Sequence, residues 1–269
     1  MEKINKLNYG NWISGSIIKC IVAVFEISLV LCLSSFSSLI KDWPPVVKLL
    51  VRTIFILALM ISFAAGVYFY ICRRLFSYEG RYQVQNKILD YVLAHLPLKE
   101  GHILDIGCGN GALSIKSAQK SQKIKVTGID YWGSLWDFTK GQCEINARLE
   151  GVGDRIVFQK GDAARLDFPD ETFDGAISNL VFHEVKSQPD KRLVVREALR
   201  VVKKGGAFAF HDFFFERSLY GDIKKFIEDL KNGGVSEIHL LRSSSEKFIP
   251  GILKARPMLG AIGLLYGKK

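Results

Sequence analysis

The chain has 269 residues, enough for one α/β enzyme domain with a modest appendage, so two parts are the starting expectation. Hydrophobic residues make up 48% and charged residues 24%, a balance that points to concentrated apolar content, and that content lies in the first 72 residues. The formal net charge of +10 speaks to long-range partners and not to fold; no basic run with interleaved aromatics offers a strip for nucleic acid, whereas an anionic membrane face attracts each nearby Lys or Arg by about 1 kcal/mol.

Residues 53–72 are twenty uncharged, mostly apolar residues, enough at 1.5 Å rise to cross a hydrocarbon core of about 30 Å. Tyr68 and Tyr70, followed by Arg73 and Arg74, supply an aromatic belt and a basic stop at one end. Residues 21–40 form a weaker span, because Glu26 sits inside it and a charge at the centre costs about 2.5–3.5 kcal/mol on insertion scales. Lys41-Asp42-Trp43-Pro44-Pro45 between them predicts an antiparallel hairpin, with helices near 17–40 and 46–72. Seven basic residues flank its outer ends (Lys3, Lys6, Lys19, Arg73, Arg74, Arg81, Lys87) against three near the turn (Lys41, Lys48, Arg52), which puts both ends in the cytoplasm. The alternatives are a cleaved signal peptide for the first segment, although no small-x-small site is evident, and a buried helical pair.

The boundary is drawn at 1–76 for the membrane hairpin and 77–269 for a soluble domain. There, helical and short apolar runs alternate in the pattern of an α/β layered domain with a mainly parallel sheet. A helix over 83–96 is followed by strands at 102–106, 125–129, 156–159, 175–178 and 207–211, with helices around 113–118, 136–149 and 192–202. Leu219, Ile223, Phe226, Ile227 and Leu230 share one face of a further helix, and two late strands fall at 237–241 and 258–266. The five cysteines (Cys20, Cys32, Cys72, Cys108, Cys143) form no CxxC pair, which reads as a reducing compartment with no structural metal site.

The first strand runs through Asp105 and Ile106 into Gly107-Cys108-Gly109-Asn110-Gly111 and then directly into a helix, a loop whose bare positions let a ligand approach the backbone beside exposed helix amides. Asp130 ends the next strand 25 residues on, with Tyr131 after it, and a carboxylate there can accept both ribose hydroxyl protons. Gly161-Asp162-Ala163 follows the third strand with an acidic acceptor for an adenine amino group. Asn179 ends the fourth at the same carboxyl edge, the side on which open α/β sheets bind ligands.

On these motifs, residues 83–215 resemble the class I S-adenosylmethionine-dependent methyltransferases, including the quinone and sterol methyltransferase-like groups. The resemblance implies a Rossmann-like, doubly wound, mainly parallel sheet. It also implies S-adenosylmethionine as cofactor: its methionine part within the loop from Asp105 to Gly111, its ribose on Asp130, its adenine flanked by Asp162 and Ala163, and the methyl-transfer chamber bordered by Asn179. Lys204 stands where the family usually has proline. A nicotinamide cofactor is the competing ligand, since Gly107, Gly109 and Ala112 meet the looser GxGxxA pattern.

Methyl transfer mainly demands that a nucleophile be held in line with the methyl carbon. If the attacking atom must lose a proton, His183 is the candidate base, against a structural hydrogen bond for the same residue; His211 and Asp212 end the fifth strand on that edge, with the structural reading leading for both. No Asn-Pro-Pro-Tyr motif follows the fourth strand, which argues against an amide or nucleobase acceptor. Phe213, Phe214 and Phe215 are candidates for an apolar acceptor pocket or for the core, and Tyr78 and Tyr82 for a lid. The expected acceptor is a small lipid-like or amphipathic molecule of the membrane, with no nucleic-acid partner. A soluble acceptor and a non-catalytic cofactor sensor are the alternatives.

Overall fold

The computed structural model describes residues 6–133, 138–256 and 258–269. Its contacts divide the chain into two units: Asn11–Gln83, and an α/β unit of Val84–Lys269 together with the residues up to Gly10.

The first unit holds helix α1 (Gly15–Ser34) and helix α2 (Pro45–Leu75). Ser14 caps α1, its side chain accepting from the Ser16 amide, and Pro45 opens α2 where its missing N–H costs nothing. The helix ends at Ser34, short of the expected residue 40, and residues Ser38–Ile40 form only a 3-10 turn. The two helices pack on each other, with Phe25 and Phe63 rings 6.1 Å apart. Arg52 donates to the Ser35 carbonyl at 3.1 Å and lies 4.5 Å over the Phe36 ring, tying the turn. Most of their apolar surface faces outward: Val30, Leu33, Leu49, Ile61 and Met60 are each more than 60% exposed. Glu26 is on the exposed side of α1 and not at the helix contact. Both helices are long and apolar enough to cross a membrane.

The second unit is a seven-stranded sheet in the order β3-β2-β1-β4-β5-β7-β6. Its strands are β1 (Gly101–Ile106), β2 (Ile124–Asp130), β3 (Ile156–Lys160), β4 (Phe173–Asn179), β5 (Val202–Asp212), β6 (Glu237–Leu241) and β7 (Gly263–Lys268). The first five pair in parallel, and β7 runs antiparallel to both β5 and β6. Helices α3 (Val84–Ala94), α4 (Ala112–Gln119), α5 (Lys140–Leu149), α6 (Lys191–Arg200), α7 (Arg217–Tyr220) and α8 (Ile223–Asn232) complete it. This is the doubly wound, mainly parallel α/β sheet expected.

Strands covered on both faces are mostly apolar, and in the central ones Ile103 to Ile106 and Gly175 to Ser178 are buried without interruption, with Asp105 and Ser178 as the polar exceptions. Several boundaries differ from the sequence pattern, among them the start of β5, at Val202 rather than 207. The helix expected from residue 136 begins at Lys140, capped by Thr139; residues 134–137 fall outside the described ones. The helix expected through Leu219 and Leu230 is broken at Gly221, whose φ of 66° ends α7, and restarts behind Asp222, which caps α8. The last strand starts at Gly263 rather than 258, and residues 258–261 lie in a turn.

Phe208, Phe210, Phe182 and Phe173 fill the core between the sheet and α6 to α8. Phe210 is fully buried, its ring 5.2 Å from Phe182 and 5.3 Å from Phe208. Phe210→Ala is expected to cost about 3–5 kcal/mol through lost burial and an unfilled cavity, read from guanidinium unfolding of the full chain in detergent.

Candidate active site

Strand order reverses between β1 and β4, which opens a crevice at their carboxyl ends. The chemistry-bearing residues of the sequence meet at that edge. The β1–α4 loop carries Gly107, Cys108, Gly109, Asn110 and Gly111; β2 ends in Asp130, β3 leads into Gly161, Asp162 and Ala163, and Asn179 ends β4 directly opposite His211 on β5.

The loop is held from beneath by strand β2. Gly107 and Cys108 both donate to the Ile129 carbonyl, at 2.8 and 2.9 Å, so the chain bends sharply out of β1. Gly107 has φ 73°, and a Cβ there would drive into the Val181 side chain, so only glycine fits this bend. Asp130 fixes the next turn, one carboxylate oxygen accepting from the Gly109 amide at 2.8 Å and the other from the Trp132 amide at 2.7 Å. Burial pushes the Asp130 carboxyl up, against the pull of these amides and that of Tyr131. The Trp132 indole donates to the Gly109 carbonyl at 2.9 Å, and the Cys143 thiol reaches the same oxygen at 3.1 Å. Tyr131 itself is 65% exposed, with the Lys160 ammonium 4.9 Å from its ring.

Asp105 lies behind the loop, 1% exposed. One oxygen accepts from the Ser114 hydroxyl at 2.5 Å, while Oδ1 has no hydrogen-bond partner among the described residues. Burial pushes its carboxyl up to about 7; the Ser114 bond opposes this and the Asp130 charge adds to it. A buried carboxyl with an orphaned oxygen is stabilised by a cationic neighbour, which suits a sulfonium cofactor bearing an ammonium group. Asp162 uses one oxygen for the Ala164 amide and the Ser187 hydroxyl, both at 2.9 Å, and Ala163 beside it is buried.

Beyond Asn179 the backbone makes one more sheet bond, from the Leu180 amide to the His211 carbonyl at 2.7 Å, and then turns at Leu180, whose φ is 57°. A left-handed non-glycine residue at such a place stores strain that the surrounding contacts hold. The turn drops Phe182 into the core and leaves His183 beside β5, where its Nδ1 lies 3.0 Å from Oδ1 of Asp212. Asp212 is fully buried and also accepts from the amides of Phe213, at 2.6 Å, and His183, at 3.3 Å. The phenyl ring of Phe213 meets the imidazole edge-on at 4.7 Å. Burial lowers the His183 pKa, but the Asp212 charge and hydrogen bond, with Glu184, outweigh it and raise the group above its ordinary 6.5. Asp212 is likewise pushed up by burial, yet His183 and the two amides bring it below the usual carboxylate range.

His211 is the opposite case. It is 1% exposed, and burial takes its pKa down to about 4, so the ring is neutral. With the Asn179 oxygen 2.8 Å from Nδ1 as acceptor, Nδ1 carries the proton and fixes the Asn179 amide. The two histidines of this edge are therefore split between a proton-accepting imidazole and a structural one. Phe214 belongs to the core, while Phe215 faces the Arg242 guanidinium at 3.7 Å. Tyr78 and Tyr82 belong to the other unit.

The sequence pattern weighted Asp212 toward a structural role and did not join it to His183; the register of β4 against β5 supplies that partnership, and only the strand order reveals it. Trp132 and Ser114 had no sequence signal. In histidine-resolved NMR of the full chain in micelles, His183 is expected to titrate above 6.5, and Asp212→Asn to bring its midpoint down, while His211 stays neutral throughout. A His183 midpoint indifferent to Asp212→Asn would refute the pairing.

Residues 104–210 match the family model described as a methyltransferase domain. The 27-O-demethylrifamycin SV methyltransferase of Amycolatopsis mediterranei is 34% identical over 140 residues, covering 52% of this chain and 48% of the relative. Sterol 24-C-methyltransferase ERG6B of Gibberella zeae is 29% identical over 148 residues, 54% of this chain and 36% of the relative. A phosphatidylethanolamine N-methyltransferase of Cereibacter sphaeroides is 32% identical over 121 residues, 45% of this chain and 55% of the relative. The chain thus spans between about a third and about half of the length of these curated relatives. Residues 104–210 are thus similar to a methyltransferase domain, and the sheet order with its antiparallel β7 and the glycine loop closing on Asp130 give the α/β unit the fold expected of the class I S-adenosylmethionine-dependent methyltransferases.

Proposed function

We propose that this chain transfers a methyl group from S-adenosylmethionine to a lipid-like or amphipathic acceptor, and that the apolar helices α1 and α2 anchor it in a membrane with the catalytic α/β unit on the cytoplasmic side. The observation that carries the reading is the convergence of Asp105, the glycine loop, Asp130, Asp162, Asn179 and the His183–Asp212 pair on one sheet edge.

When bound, S-adenosylmethionine supplies an activated methyl group on a sulfonium. Gly107, Cys108, Gly109, Asn110 and Gly111 would surround its methionine part, with the Asp105 carboxyl behind them offsetting positive charge. Asp130 would hold the ribose, beside Tyr131, and Gly161, Asp162 and Ala163 the adenine. Asn179, its amide fixed by His211, would border the acceptor chamber. His183 is the base: Asp212 holds the Nδ1 side of its ring, so Nε2 takes the acceptor's proton, and the imidazolium is stabilised by the buried carboxylate. This pair supports an acceptor that loses a proton, such as a hydroxyl, and favours catalysis over a passive sensor, which has no use for a tuned base.

The lipid-like acceptor rests on α1 and α2, whose outward apolar faces suit hydrocarbon, and on relatives whose names specify a sterol and a phospholipid. The test is transfer of labelled methyl from S-adenosylmethionine by the detergent-solubilised chain into fractionated membrane lipids, beside a soluble extract. Label is expected in a lipid fraction, to be lost with Asp130→Ala and to fall about 10²–10⁴-fold with His183→Ala. The rate is expected to rise with pH through a raised histidine midpoint, because only neutral imidazole accepts a proton, and Asp212→Asn is expected to move that limb to lower pH. Label confined to the soluble fraction would overturn the lipid acceptor. Absence of transfer together with absence of S-adenosylhomocysteine binding would overturn the enzyme.

A further inference from the structure

Residues 6–10 come before the apolar helices in sequence, yet they lie on the glycine loop of the α/β unit. The Asn8 peptide is gripped on both sides by one side chain: its N–H donates to Oδ1 of Asn146 at 3.0 Å, and its carbonyl accepts from Nδ2 of Asn146 at 2.9 Å. Asn146 projects from α5 and is completely buried. Its second Nδ2 proton goes to the Asn110 carbonyl at 2.9 Å, and its oxygen also accepts from Gln142 at 2.9 Å. Both donors and both acceptor positions of the amide are thereby used, joining strap, loop and helix.

The contact extends on either side of Asn8. The Asn110 amide donates to the Asn8 carbonyl at 3.2 Å, while its oxygen accepts from the Thr139 amide at 3.1 Å. Gln142 donates to the Lys6 carbonyl at 3.1 Å, and the buried Tyr9 hydroxyl to Glu150 at 2.9 Å. Gly10 has φ 71°, and a Cβ there would collide with the Phe138 ring, whose other edge would lie 3.4 Å from a Cβ on Gly109. Phe138 is thus wedged between the strap and the loop. Asn110 and Gly109 belong to the loop that the proposed function assigns to the cofactor.

We infer that residues 6–10 form a wall of the cofactor site, fastened by Asn146 as a positioning residue, so that cofactor binding and the seating of the segment leading into α1 are thermodynamically linked. The inference rests on the cofactor reading above. If a seated strap orders Gly109 and Asn110 for the cofactor, the cofactor must stabilise the seated strap by the same factor. Asn11, the next residue, begins the segment that leads into the apolar helices.

The experiment uses the full chain in micelles, with S-adenosylhomocysteine as probe, calorimetry for affinity and backbone hydrogen exchange for the strap. In the wild type, the probe is expected to slow exchange at residues 6–10. Gly10→Val, whose Cβ would meet the Phe138 ring and displace the strap, is expected to weaken binding by about tenfold or more at a temperature where the variant is still folded. Tyr9→Phe, which removes one hydrogen bond and keeps the packing, is expected to weaken it by about threefold. Wild-type affinity in Gly10→Val, or strap exchange indifferent to the probe, would overturn the inference while leaving the enzyme reading intact. A wild-type chain that fails to bind the probe would overturn both.

Discussion

Strands β1 and β4 lie side by side, in register from Ile103 opposite Gly175 to Ile106 opposite Ser178, and the chain winds outward from them in opposite directions. At most positions in a doubly wound sheet, a crossover helix covers the gap between neighbouring strand ends. Between these two strands the connections leave on opposite sides and no helix fills the space. The β1–α4 loop is free to bend because the Ile129 carbonyl of β2 anchors it from one side, and β4 delivers Asn179 and His183 from the other. Burial of the central strands sets the rigidity of this frame, since a register slip of one residue would turn Asp105 away from Ser114 and exchange every inward and outward side chain.

Within that frame, burial acts on each ionisable group in the same sense, and the partners decide the result. His211 near the end of β5 and His183 in the turn after β4 share one edge, but His211 is hydrogen-bonded to the neutral Asn179 oxygen, while His183 has a buried carboxylate. Desolvation without a charged partner leaves an imidazole neutral; with one, it yields a base stronger than histidine in water. Asp105 and Asp212 divide in the same way. The carboxyl whose second oxygen is orphaned is pushed up to about 7, and the one facing His183 is held low. A site with these two carboxyls has one place that gains from added positive charge and one that is already balanced.

Much of this was legible in the sequence because it depends on local rules. Glycine at the bend after β1, apolar runs of strand length and acidic residues at the end of β2 and just past β3 are properties of a few consecutive residues, and they located the loop, Asp130 and Asp162. The expected ends of elements failed where tertiary contacts decide them: Gly221 and Asp222 split a face that reads as one continuous amphipathic helix, and α1 stops at Ser34 although apolar residues continue. The His183–Asp212 pair depends on β4 and β5 being neighbours, a fact of topology. The grip of Asn146 on Asn8 spans 138 positions, and neither residue carries a pattern that announces the other.

That separation bears on the order in which the molecule is built. The strap leaves the ribosome before both apolar helices and well before the glycine loop and α5, so its hydrogen-bonding partners do not exist when it emerges. It must wait, its polar groups satisfied by water, until more than a hundred further residues have been made. Seating of the strap is then a long-range closure that needs α5, and a chain that has not yet reached Asn146 is left with its glycine loop unfastened.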